Sequence, residues 1–221
     1  MNKLSKIIIE PRQPAEACVI LMHGLGDSAA GIRPVVDALN LQDSSIRFVL
    51  PDAPMRPITI NQGMTMRGWY DIQQMALTER ADVGGITVSE NLIVELMDEQ
   101  IAEGITSQKL ALVGFSQGGV MALHTGLRYQ QPLAGLVGMS CYLPQGDTLP
   151  TDTVQPSSNL NVALYHGRYD PVVPLAAGQM ARKTLVAAGF AVDWSVYDME
   201  HNIVAEEIGR LRHCLLRWLA D

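Results

Sequence analysis

Gly114-Phe115-Ser116-Gln117-Gly118 is the only G-x-S-x-G in the chain. A serine hydroxyl is a weak nucleophile until a base takes its proton and a third group orients that base. The setting gives the motif its meaning: the apolar run Leu110–Phe115 precedes it and a helical run follows. A sharp strand-to-helix turn strains the serine and exposes its hydroxyl, and it needs glycines two residues to either side, where backbones approach too closely for a Cβ. Ser116 is therefore the candidate nucleophile.

On a scaffold with this turn the partners follow in the order Ser, Asp or Glu, His. Two histidines lie beyond His166. His213 falls inside an apolar helical pattern, beside Cys214. His201 falls between a strand pattern and a helix pattern, where sites assemble in open parallel sheets, and it is the candidate base. The carboxylates between Ser116 and His201 include Asp147, Asp152, Asp170, Asp193 and Asp198. Asp147 and Asp152 sit in a Pro/Thr/Ser-rich stretch, Asp193 within a strand pattern, and Asp198 too near His201 to come from a separate strand end. Asp170 follows an apolar run, in His166-Gly167-Arg168-Tyr169-Asp170-Pro171. It is the candidate that fixes the histidine tautomer. Acyl transfer also needs donors for a developing oxyanion. The Gln117 N–H, next to the serine, is one. The Leu25 N–H, in His23-Gly24-Leu25-Gly26-Asp27, is the other.

Continuous apolar runs must carry these groups: Ala17–Met22, Arg47–Leu50, Leu110–Phe115, Leu133–Met139, Asn161–Tyr165 and Phe190–Tyr197. Unbroken runs point to strands buried on both faces, as in a parallel sheet. Between them the patterns predict a helix opened by a Thr87/Glu90 capping box and stopped at Gly104. Further helices are predicted over Gly118–Tyr129 and Pro174–Ala188, and over Ile203–Leu219 with Asn202 as its cap. The alternation implies one α/β domain over residues 1–221 with a mainly parallel sheet. Ala53–Ile86 is the exception, long, Met-rich and weakly periodic. It is too apolar for a disordered linker and reads as a cover packed over something.

Lys and Arg number 16 against 23 Asp and Glu, a net charge of −7. That balance excludes a phosphate-backbone binder, so no nucleic-acid partner is expected. Three scattered cysteines without a CxxC pair argue against a disulfide framework, a zinc site or a redox motif, and for a reducing, cytoplasmic setting. The Ile7–Ile9 run is too short for a signal peptide. Leu110–Leu127 and Tyr129–Gly146 carry no charged side chain, but their glycines, prolines and glutamines mark buried soluble elements rather than membrane spans.

Five segments together resemble a known family: Leu21–Gly31 (LMHGLGDSAAG), 50–72 (LPDAPMRPITINQGMTMRGWYDI), 112–123 (LVGFSQGGVMAL), 165–175 (YHGRYDPVVPL) and 197–203 (YDMEHNI). In this order they are similar to the bacterial carboxylesterase / acyl-protein thioesterase family, also called phospholipase/carboxylesterase, of the α/β-hydrolase fold. The resemblance implies helices on both faces of the sheet and a triad of Ser116, Asp170 and His201. It also implies oxyanion donors at Leu25 and Gln117, and no metal or organic cofactor. It makes 53–86 the cover of an acyl-binding groove, with Trp69, Met66 and Met64 as substrate-binding residues. The implied activity is hydrolysis of acyl esters or thioesters through an acyl-enzyme intermediate. The alternatives are lysophospholipase activity at the same site and a silent acyl-ligand binder. The expected partner is a small acyl ester or an acylated substrate. Transient lipid contact and a homodimer stay open.

Overall fold

The computed structural model describes residues 3–73, 82–144 and 160–219. The strands are β1 (Lys6–Ile9), β2 (Ala17–Met22), β3 (Ile46–Pro51), β4 (Met55–Ile58), β5 (Met64–Arg67), β6 (Leu110–Phe115), β7 (Gly135–Met139), β8 (Asn161–Gly167) and β9 (Val192–Tyr197). The helices are α1 (Ala29–Leu39), α2 (Val83–Ala102), α3 (Gln117–Arg128), α4 (Leu175–Ala187) and α5 (Ala205–Leu219). Seven strands form one sheet in the order β1-β3-β2-β6-β7-β8-β9. Every neighbouring pair in it is parallel except β1 with β3.

The unbroken apolar runs follow from two cores. In β2, Cys18, Ile20 and Met22 face one core, while Ala17, Val19 and Leu21 face the other. The first core also holds Ile93 and Met97 of α2, Val120 and Leu127 of α3, and Leu185 of α4. The second holds Ile32 and Val36 of α1 with Leu211 and Leu215 of α5. A strand covered by helices on both faces has no side for water, so alternation disappears from its sequence.

Several sequence expectations are corrected. α2 starts at Val83, not at a Thr87 cap. Asp82 caps it by accepting from Gly85 N at 2.9 Å, and Thr87 Oγ1 instead donates to Val83 O inside the helix. Gly84 and Gly85, which read as loop, are the first turn; a Cβ on Gly85 would lie 2.1 Å from the Asp82 carboxylate. α5 starts at Ala205 rather than Ile203, because its first bond runs from Ile208 N to Val204 O. Asn202 is therefore not its cap. Helix α1, capped by Ser28, and edge strand β1 had no counterpart in the sequence reading.

The 53–86 stretch is not one long loop. β4 and β5 pair as an antiparallel hairpin across a 3-10 turn, and the stretch ends in the first turn of α2. Residues 74–81, with Met75 and Leu77 of the expected cover, lie outside the described residues, as do Asp147 and Asp152. No helix among the described residues is long and apolar enough to cross a membrane.

Candidate active site

Ser116 stands between β6 and α3 with φ 54° and ψ −119°. A non-glycine residue at positive φ costs about 1–3 kcal/mol and persists only where its surroundings over-determine it. Here backbone packing does so. A Cβ on Gly114 would meet Gly118 O at 2.1 Å, and one on Gly118 would meet Met22 O at 2.3 Å and His23 O at 2.6 Å. The chain must therefore cross itself and β2 on bare glycine backbone, and the turn that this permits presents Ser116. Gly118→Ala forces a methyl group against β2, whose carbonyls are held in the sheet. The expected result is a Tm about 5–10 °C lower, read by thermal unfolding. A Tm unchanged within error would contradict the packing account.

Three strand ends supply the other groups. Asp170 follows β8, His201 follows β9, and His23-Gly24-Leu25 follows β2. Ser116 Oγ lies 2.9 Å from His201 Nε2, and His201 Nδ1 lies 2.7 Å from Asp170 Oδ2. The Asp170 side chain is fully buried. Its Oδ1 accepts from Val172 N and Val173 N, each at 2.8 Å. A carboxylate only accepts, so His201 Nδ1 carries the proton and Nε2 is left to accept from the Ser116 hydroxyl. The Phe115 ring packs 4.8 Å from the imidazole, centroid to centroid.

The two loops that carry Asp170 and His201 are stitched together. Arg168 N donates to Tyr197 O and Tyr169 N to Met199 O. Gly167 permits this, since a Cβ there would lie 2.3 Å from Glu200 O. On the β2 side, buried His23 accepts from Ala53 N at Nε2, so its Nδ1–H donates to Gly24 O at 2.7 Å. Burial lowers the His23 pKa and keeps the ring neutral. Trp69 Nε1 donates to His23 O at 2.9 Å, which ties this loop to the segment after β5.

A cleft of about 260 Å³ opens over these groups. Ser116, His201, Gln117 and Leu25 all border it. Gln117 opens α3, where a first-turn N–H has no partner within the helix. Its side chain does separate work: Oε1 accepts from Trp69 N and Nε2 donates to Tyr70 O, both at 2.7 Å. Sequence reasoning missed that bridge, because it asked only for the backbone N–H of this residue.

The three expected substrate-binding residues lie outside the lining of this cleft. Trp69 is fully buried in the core. Met64 is 64% exposed on β5, and Met66 Sδ accepts from Asn61 Nδ2 on the hairpin. None of the three lines the cleft. Tyr70, Ile72, Tyr142, Val172 and Val173 do. Among the described residues no group of three or more His, Cys, Asp or Glu converges to hold a metal.

Glu207, in the first turn of α5 just beyond the His201 loop, is fully buried, and among the described residues neither oxygen meets a partner at hydrogen-bonding geometry. Burial pushes its carboxyl up to about 8, offset only in part by the nearby Val204 N–H. The folded state thus keeps a proton that the unfolded chain releases from the ordinary value of 4.5 upward. Stability contributed by this group is full below that value and is lost as pH rises toward about 8. Glu207→Gln removes the loss. Its Tm is expected to exceed that of the wild type by about 5 °C at pH 8 and to converge with it near pH 4.5. A difference independent of pH in thermal melts would refute this.

A phospholipase/carboxylesterase family model matches residues 4–219. The chain belongs to that family. Among its relatives, acyl-protein thioesterase 1 of Gibberella zeae is 33% identical over 229 residues, covering 99% of this chain and 97% of the relative. The acyl-protein thioesterase 1 of Schizosaccharomyces pombe is 36% identical over 184 residues, covering 83% and 82%. The crystal structure of Zea mays acyl-protein thioesterase 2 superposes with a TM-score of 0.85 at 27% identity, covering 98% of this chain and 99% of that one. This phospholipase/carboxylesterase family member therefore has the α/β-hydrolase fold and is an ester or thioester hydrolase.

Proposed function

We propose that the chain is a serine hydrolase that cleaves acyl esters and thioesters through an acyl-enzyme. The observation that carries this reading is the hydrogen-bonded series Asp170–His201–Ser116 at the mouth of a largely apolar cleft. His201 Nε2 takes the Ser116 proton as Oγ attacks the acyl carbonyl carbon. The N–H groups of Gln117 and Leu25 hold the oxyanion of the tetrahedral intermediate. His201 then gives its proton to the leaving alkoxide or thiolate, which leaves the acyl group on Ser116. Water, deprotonated by His201, attacks that ester and restores the free serine. Asp170 stabilises the imidazolium formed in both halves.

The names of the fungal relatives extend the leaving group to a protein thiol. Residues 1–221 act as one domain on this reading, since all the groups come from strand ends of one sheet. The three cysteines are buried free thiols, in keeping with a reducing cytoplasm. The test is hydrolysis of p-nitrophenyl esters across acyl lengths, together with labelling by a fluorophosphonate. Turnover with stoichiometric labelling of Ser116, located by peptide mass, is expected. Folded protein that neither turns over nor labels would overturn the reading in favour of a silent acyl binder.

A further inference from the structure

Two tyrosines from separate parts of the chain meet in the cleft wall. Tyr70 lies in the segment after β5 and Tyr142 in the segment after β7, and both line the cleft. Their hydroxyl oxygens are 2.9 Å apart, and both residues are buried. Each hydroxyl has one hydrogen to give. A pair bonded to each other uses one of the two hydrogens. The second has no acceptor among the described residues. Burial raises both hydroxyl pKa values, so both stay protonated in the working range.

We propose that this pair is a specificity element: it offers one hydrogen-bond donor to an oxygen carried on the acyl chain, so that oxygenated acyl groups are preferred over plain alkyl ones. The inference rests on the acyl-hydrolase reading above. Ile72, Val172 and Val173 make the nearby wall apolar, so an alkyl chain fits it. That same chain keeps water from the spare O–H and leaves a buried donor unmade, which is unfavourable. An ether, keto or hydroxyl oxygen at the right position restores the bond. Tethering the two segments needs only one hydrogen bond, so a purely structural role leaves the second hydrogen without an account.

The test is a scan of p-nitrophenyl octanoate and analogues in which successive outer methylenes are replaced by an ether oxygen. Length is conserved and the new atom can only accept. Each oxa-to-plain ratio of kcat/KM is divided by the same ratio for hydroxide-catalysed hydrolysis, which removes intrinsic reactivity. One position, or two adjacent ones, is expected to stand about tenfold above the rest. In the Tyr70→Phe/Tyr142→Phe double variant that peak is expected to fall within about twofold of the baseline, with ratios taken inside each enzyme. Each single variant keeps one hydroxyl with its own hydrogen, so the single change that abolishes the peak identifies the oxygen facing the chain. A flat scan in a wild-type enzyme that hydrolyses octanoate overturns the proposal alone, even if the double variant fails to fold. A peak that survives in the folded double variant overturns it too. No hydrolysis of any ester, octanoate included, overturns the acyl-hydrolase reading and this proposal with it.

Discussion

Ser116→Ala is expected to lower kcat for p-nitrophenyl ester hydrolysis by about 10⁶-fold while the protein stays folded. The size of the effect follows from chemistry rather than packing. No other hydroxyl is hydrogen-bonded to His201 among the described residues, so the variant loses the covalent route entirely. On the proposed mechanism, what survives is the capacity of the Gln117 and Leu25 N–H groups to polarise a carbonyl. Alanine keeps a Cβ at a backbone position of φ 54°, so the strain of the turn is retained and little stability should change. The measurement is steady-state hydrolysis beside a thermal melt. Activity above about 1% of wild type, with an unchanged Tm, would remove Ser116 from the mechanism.

The second large effect concerns Asp170→Asn, with an expected loss of about 10⁴-fold in kcat. The local hydrogen bonds dictate how the amide sits. Oδ1 of Asp170 accepts from the N–H groups of Val172 and Val173. An asparagine must keep its oxygen there, which turns its NH₂ toward His201 Nδ1. Nδ1 then has to accept, so the imidazole proton moves to Nε2. That nitrogen now donates toward Ser116 and no longer serves as the base. Loss of less than about tenfold would show that Asp170 does not set the tautomer.

The sheet was legible where burial leaves a one-dimensional trace. Ala17–Met22 and Leu110–Phe115 coincide with β2 and β6 because both faces are covered and each run ends on a turn residue. β1 left no such trace: it is a half-exposed antiparallel edge of four residues. α1, which Ser28 caps, carries Gly31 and Pro34 inside it, two residues of low helix propensity that weaken its trace in the sequence. The reading of α2 failed for a related reason, since Gly84-Gly85 suggests loop until the Asp82 cap is seen.

The convergence of Ser116, Asp170 and His201 was legible through residue type, chain order and position at strand ends. The lining of the cleft was not. Trp69 and Tyr70 are adjacent, both aromatic and both buried, yet only Tyr70 lines the cleft. Nothing in residue type separates an aromatic that fills a core from one that walls a cavity. The side chain of Gln117 escaped for the same reason: its partners, Trp69 N and Tyr70 O, come from a distant segment of chain.

The sheet order also governs when the enzyme can come into being. Ser116 and His201 are 85 residues apart in sequence, and His201 follows β9, the far edge strand. Parallel pairing of distant segments forms slowly, because loop closure is unfavourable before the contacts that offset it exist. A chain leaving the ribosome can form β2, β6 and the strained serine turn well before β9 emerges. With Ser116 and His201 in the proposed roles, the hydrolase stays inert until β9 has joined the sheet, and its activity reports the completion of folding.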